Sequence, residues 1–238
     1  MKTMQSHAQQ SDLDDRPRAA LEPSPGTGAR VLYLPRRRGA YERFVKPAFD
    51  RTVAAVLLVL LVPVLLVTAV AVFLQLGDPI LLRQDRVGRG GRSFRIMKFR
   101  TMRPDRREDL VAGFDGVDRR VTHKSPDDPR LVPLGRFLRT WSLDELPQLV
   151  NVVRGDMSLV GPRPELVAIV DRYEDWQHRR HLVQPGITGL WQVTERGNGL
   201  MHERTDVDLE YVQRISLRTD LGILVRTVPA ALGMRRGY

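Results

Sequence analysis

An uncharged apolar run from Val53 to Leu76 constrains this chain more than any other stretch. As one helix it is about 36 Å long at ~1.5 Å per residue, enough for a hydrocarbon core of about 30 Å. A helix that is apolar all round needs burial on every side, which a chain of 238 residues can hardly supply. A membrane is therefore the expected partner. Two features complicate a simple crossing. Pro63 lies inside the run, where it cannot donate a hydrogen bond and crowds the preceding turn. Cations also lie on both flanks, at Arg36, Arg37, Arg38, Arg43, Lys46 and Arg51 before it, and at Arg83, Arg86, Arg89, Arg92, Arg95, Lys98 and Arg100 after it. Positive residues mark the cytoplasmic side. A re-entrant helix that dips, bends at Pro63 and returns to the same face satisfies both flanks, whereas a single span satisfies one. Backbone groups freed at the bend then need partners within the protein.

Around this run the chain divides into three parts. Residues 1–40 are polar, basic and aperiodic, and are expected to form a disordered tail. Residues 41–79 comprise an interfacial lead-in, Tyr41 to Arg51, and the membrane helix itself. Residues 80–238 are expected to form the main folded domain, on the cytoplasmic face. The net charge of +10 suits an anionic lipid surface or a phosphorylated substrate. The chain has no cysteine, so thiolate chemistry and disulfides are absent. Its five histidines form no His-Glu-x-x-His pattern, and His178 and His181 read as surface residues on a charged helix.

Ile80 to Val87 and Ser93 to Met102 alternate like strands, and Gly88-Arg89-Gly90-Gly91 between them is turn chemistry, so a β-hairpin is expected. Residues 103–130 are charged and broken by Gly and Pro, which predicts a loop. Leu131 to Thr140 predicts a short helix, and Glu165 to Val183 a longer amphipathic one. Pro185 to Val193 predicts a tight turn into an extended run. The three Gly-x-Gly triplets lack a third glycine and no Walker sequence occurs, so no nucleotide fingerprint is present.

The densest chemistry lies in residues 139–165. Asp144 and Glu145 are adjacent acids at a helix start, with Arg139 before them and Pro162-Arg163-Pro164 after. Ser142 and Glu145 have capping-box spacing. Pro147 allows a second register, in which it opens the helix and both acids sit in the loop just before. In either register the acids stand at a helix N-terminus, which favours anions such as phosphate.

Four ordered blocks behind one apolar segment resemble the bacterial sugar transferases that act as monotopic polyprenyl-phosphate phosphoglycosyl transferases. The blocks are Gly88 to Met102, Gly135 to Leu149, Asn151 to Glu165 and Pro185 to Val193. The resemblance covers roughly residues 44–238. It implies an α+β, helix-dominated, membrane-associated domain with a small β-hairpin and an N-terminal re-entrant, or single-span, membrane helix. It implies transfer of a phosphosugar from a UDP-sugar to a polyprenyl phosphate, with Mg2+ as cofactor and UMP as a product, at the bacterial cytoplasmic membrane. It places the nucleophile and metal contact at Asp144, its orienting partner at Glu145, and phosphate or nucleotide contacts at Lys98, Arg100, Arg139 and Arg163. Asp208, before Tyr211, falls at a late acidic position of the family, and Lys46 and Asp50 at its basic and acidic positions before the membrane segment. The chain departs from the family pattern at Val62, where a serine often precedes Pro63, and at Thr194-Glu195-Arg196. The competing reading is a non-enzymatic basic adaptor on anionic lipid or nucleic acid. It leaves the Asp-Glu pair and the Pro-Arg-Pro turn unexplained, and the few aromatic residues argue against nucleic acid.

Overall fold

The computed structural model describes residues 38–103, 130–194 and 204–231. The expected tail over 1–40, the loop over 103–130 and the Glu195-Arg196 departure lie almost wholly outside these residues. Within them the fold is α+β and rich in helix, with two small sheets.

The apolar run forms two helices, α1 (Lys46–Leu60) and α2 (Val62–Leu76). They meet at Leu61 with a bend of 65°. Pro63 occupies the first turn of α2, where its missing N–H costs nothing. The break therefore falls two residues before the proline. Leu61 donates its N–H to the carbonyls of Leu57 and Val59, so the bend is satisfied without the hydroxyl that Val62 lacks. Among the described residues no single helix is long and apolar enough to cross a membrane; the bent pair together has that length and composition. Its outer surface is apolar and bare around the bend, where Val59, Leu60, Leu66 and Val67 are each more than half exposed.

Both ends of the pair are fixed to the same body. At the start of α1, Lys46 lies 2.7 Å from Asp220 and 3.3 Å from Asp50. Ser158 donates to Asp50, and Tyr41 and Tyr211 reach the two oxygens of Asp220. Buried charges persist only when paired and hydrogen-bonded in this way. At the far end, Arg100 donates to the Leu76 and Gly77 carbonyls that close α2. Arg100 is thus a helix-end anchor.

The hairpin pairs β1 (Leu81–Val87) with β2 (Ser93–Phe99), and β4 (Glu165–Leu166) adds to β1 in the order β2-β1-β4. The turn is as expected from its glycines. β2 is an edge strand, yet its bare backbone is not left to water. Asn151, fully buried on α4 (Gln148–Arg154), accepts from Met97 N–H and donates to the Arg95 carbonyl. A second sheet pairs β3 (Ser158–Val160) with β5 (Gly186–Thr188) in parallel. Helix α1 packs on α4 over a core that includes Ala54, Ile96, Leu149, Val152, Val160, Val193 and Tyr211.

Three expectations fail. Glu165 to Val183 is not one amphipathic helix. It is β4, a four-residue helix α5 (Val167–Val170), turns, and a 3-10 stretch Gln177–Leu182. Its charges do not form a solvated face, because Glu165 and Arg180 are buried. His178 and His181 are buried as well, packed against the Tyr173 ring rather than on the surface. Burial holds the His181 imidazole well below its ordinary value, so it is neutral. Finally, the run after Pro185 is β5 followed by the short helix α6 (Leu190–Thr194). The C-terminal part is α7 (Thr205–Gln213) and α8 (Leu217–Ala231), with Pro229 inside the latter.

Candidate active site

The site is assembled where α3 (Pro133–Thr140), the segment after it, and β2 meet. Gly135 lets α3 lie directly on the strand end. A Cβ there would stand 2.0 Å from the Thr101 carbonyl oxygen. That close approach puts Arg139 beside Thr101, whose hydroxyl oxygen accepts from Arg139 Nε at 3.0 Å.

After α3 the chain reverses at Ser142, which has φ 55° in the left-handed region. Ser142 therefore ends α3 rather than capping the next helix, and its side chain makes no cap bond. The capping box is not formed. Leu143–Glu145 makes a single 3-10 turn, and Pro147 stands at the N-cap of α4. Both acids lie in the loop before the helix, close to the second of the two registers above. The left-handed serine costs roughly 1 kcal/mol or more.

Glu145 is clamped. Lys98 Nζ donates to its Oε1 at 2.7 Å, and the Arg163 guanidinium forks onto both oxygens at 2.5 and 3.2 Å. Burial pushes this carboxyl up, but Arg163 and Lys98 outweigh it and hold Glu145 well below the ordinary range. Asp144 is treated differently. It is 8% exposed, and among the described residues its carboxylate makes no hydrogen bond or ion pair. Burial, and then the charge of Glu145, push it up; Lys98, Arg139 and Arg163 pull it down less strongly. Burial also lowers Lys98 against the pull of Glu145. The pair is thus split into a neutralised acid and an uncommitted one, facing three cations.

The Pro162-Arg163-Pro164 turn is held by close backbone approach. Added Cβ atoms on Gly161, Gly186 and Gly189 would each fall 2.1–2.4 Å from backbone atoms. Asp208 is not part of this cluster. It is buried 2.6 Å from Arg180, and burial raises it to about 6 despite that cation. Of the predicted site residues, Lys98, Arg139, Asp144, Glu145 and Arg163 come together; Arg100, Pro63 and Asp208 lie elsewhere. Asn151 and Arg180 were missed. An asparagine at a buried phase of an apolar helix was a usable signal for the first, and no local pattern marks the second.

Among the described residues no group of three acids or histidines could hold a metal ion. Magnesium in phosphoryl sites is commonly held by one or two carboxylates and substrate phosphates. Asp144 alone fits a cation that shares its shell with a bound diphosphate, and does not fit a preformed cage.

The family model for bacterial sugar transferases matches residues 41–234. The UDP-glucose:undecaprenyl-phosphate glucose-1-phosphate transferase of Caulobacter vibrioides is 43% identical over 201 residues, 81% of this chain and 72% of that protein. The UDP-galactose-lipid carrier transferase of Erwinia amylovora is 42% identical over 201 residues, 82% of this chain and 42% of that longer protein. The exopolysaccharide production protein ExoY of Sinorhizobium fredii is 36% identical over 216 residues, 87% of this chain and 96% of that protein. The chain belongs to the bacterial sugar transferase family, and it is a sugar-phosphate transferase.

A pH test follows from the split pair. If ionised Asp144 is required, the rate falls as acid protonates it. Arg139 favours the ionised form, so Arg139→Gln raises the Asp144 value further and moves the acid limb of kcat/KM, which reports the free enzyme, to higher pH. A pH–rate profile of wild type and variant with unmoved limbs would show that another group sets the acid limb.

Proposed function

We propose that the chain transfers a sugar phosphate from a UDP-sugar to a polyprenyl phosphate through a phosphoaspartyl intermediate. The observation that carries this is the uncommitted Asp144 carboxylate beside a neutralised Glu145. In the first step Asp144 attacks the β-phosphorus, which bears the sugar, and the bond to the bridging oxygen breaks to release UMP. In the second step a phosphate oxygen of the polyprenyl phosphate attacks the same phosphorus. The polyprenyl-diphosphate sugar leaves and the Asp144 carboxylate is restored. One difficult displacement becomes two. Lys98 and Arg163 keep donors beyond those spent on Glu145, and with Arg139 they offset the charge of the diphosphate. Mg2+ held by Asp144 would add charge neutralisation at the same phosphates. Relatives named for UDP-glucose, UDP-galactose and undecaprenyl phosphate support the substrate class. Relatives named for exopolysaccharide production support a role in starting a glycan.

The bent helix pair serves this reaction as a re-entrant membrane anchor on the cytoplasmic face. Each arm has 15 residues, and with a 65° bend and level ends the apex reaches about 12 Å at ~1.5 Å rise per residue. That is less than half of a hydrocarbon core of about 30 Å. The anchoring of both helix ends to one domain supports the return, as do the cations on both flanks. The adaptor reading has no use for the Asp144 geometry.

Purified enzyme in detergent with a panel of UDP-sugars and a polyprenyl phosphate is expected to release UMP with at least one sugar. Asp144→Asn should lose about a thousandfold or more, as removal of a nucleophile does. Full activity in that variant would sink the nucleophile assignment. The chain lacks cysteine, so single cysteines placed at Arg38 and Arg83 give clean topology labels. Both should label from the cytoplasmic side; labelling from opposite sides would establish a span.

A further inference from the structure

Pro162 and Pro164 have no N–H, so the Pro162-Arg163-Pro164 turn offers its neighbours mainly carbonyls. Each of three successive carbonyls finds a donor. Gly186 N–H donates to Pro162 O at 2.9 Å, Arg180 Nη2 to Arg163 O at 2.7 Å, and Arg86 Nη1 to Pro164 O at 3.3 Å. The middle donor is unusual. Arg180 is 2% exposed, and its charge is balanced by Asp208, itself 1% exposed, at 2.6 Å. The Tyr173 hydroxyl accepts from its other nitrogen. A buried arginine without its counter-charge is strongly disfavoured. The carbonyl that Arg180 grips belongs to Arg163, the residue whose guanidinium forks onto Glu145.

We propose that Asp208 and Arg180 are positioning residues that act through the Arg163 backbone to aim its guanidinium at Glu145. Asp208 holds Arg180, Arg180 holds the peptide of Arg163, and Arg163 neutralises the acid next to Asp144. The late acidic position therefore serves the site from behind, through Arg180. This inference rests on the transfer reaction proposed above for its kinetic readout, but its geometry stands apart from that reaction.

A double-mutant cycle on UMP release tests it. Asp208→Asn keeps the shape and removes the counter-charge. It is expected to lower kcat about tenfold, measured below the melting midpoint of the variant. In an Arg163→Ala background the same substitution should change kcat by less than about twofold, because the group it aims is gone. An equal fold loss in both backgrounds, or an unchanged kcat in the single variant, would overturn the proposal. Should Asp208→Asn fail to fold, Tyr173→Phe removes only the hydroxyl partner of Arg180, and the same cycle is run with it. A crystal structure of either variant reads the coupling without turnover. The Arg163–Glu145 fork should open, and an intact fork would overturn the proposal. Absence of UMP release by the wild type would strike the transfer reaction, and the crystal structure would still decide the positioning role.

Discussion

Glu145 is a partly buried anion gripped by two cations that come from distant parts of the chain, Lys98 on β2 and Arg163 in a proline-bounded turn. Removing one partner from such a cluster is destabilising, because the remaining charge is left partly desolvated and less compensated. Much of the surrounding fold serves to deliver those cations. Asn151 fixes β2 against α4 through two backbone groups, which sets where Lys98 points. The glycine contacts at 161, 186 and 189 and the three gripped carbonyls fix the turn that carries Arg163. With Glu145 satisfied, the neighbouring Asp144 keeps its charge chemistry for something else.

The bent helix pair is joined to this machinery rather than appended to it. Helix α1 packs on α4, the helix that follows the acids and carries Asn151. Its Lys46 and Asp50 enter a buried network with Asp220, Tyr211 and Ser158. Arg100, one residue beyond β2, closes the end of α2. The C-terminal end of the strand that carries Lys98 is therefore tied both to the apolar pair, through Arg100, and to the acids, through Lys98 itself. The proposed transfer between a lipid phosphate and a soluble nucleotide needs the helix pair and the catalytic groups to move as one body.

Local signals were legible where the backbone obeys local rules. The hairpin between Leu81 and Phe99 follows from alternation and its glycine turn, and the short helix from Pro133 follows from periodicity. The bend in the apolar run was legible from Pro63, although the break itself falls at Leu61. The acids were found because they stand together in sequence. Their partners were harder to read. Ser142 looked like an N-cap because the motif is common, but its left-handed φ has no signature in a serine. Arg100 and Arg163 are both arginines near the apolar segment or the acids, and only tertiary packing shows that one closes a helix and the other clamps Glu145. Residues 165–183 misled for a related reason: buried ion pairs such as Arg180–Asp208 look in sequence like a solvated helix face.

The account turns on Asp144 carrying the phosphosugar between donor and acceptor. The most direct measurement is mass spectrometry of the enzyme after incubation with an accepted UDP-sugar and no polyprenyl phosphate, with the adduct mapped to a proteolytic peptide. The account predicts an added phosphosugar mass on the peptide containing Asp144, lost on addition of polyprenyl phosphate and absent from Asp144→Asn. An active enzyme that never carries the adduct, or carries it on a different peptide, would contradict it.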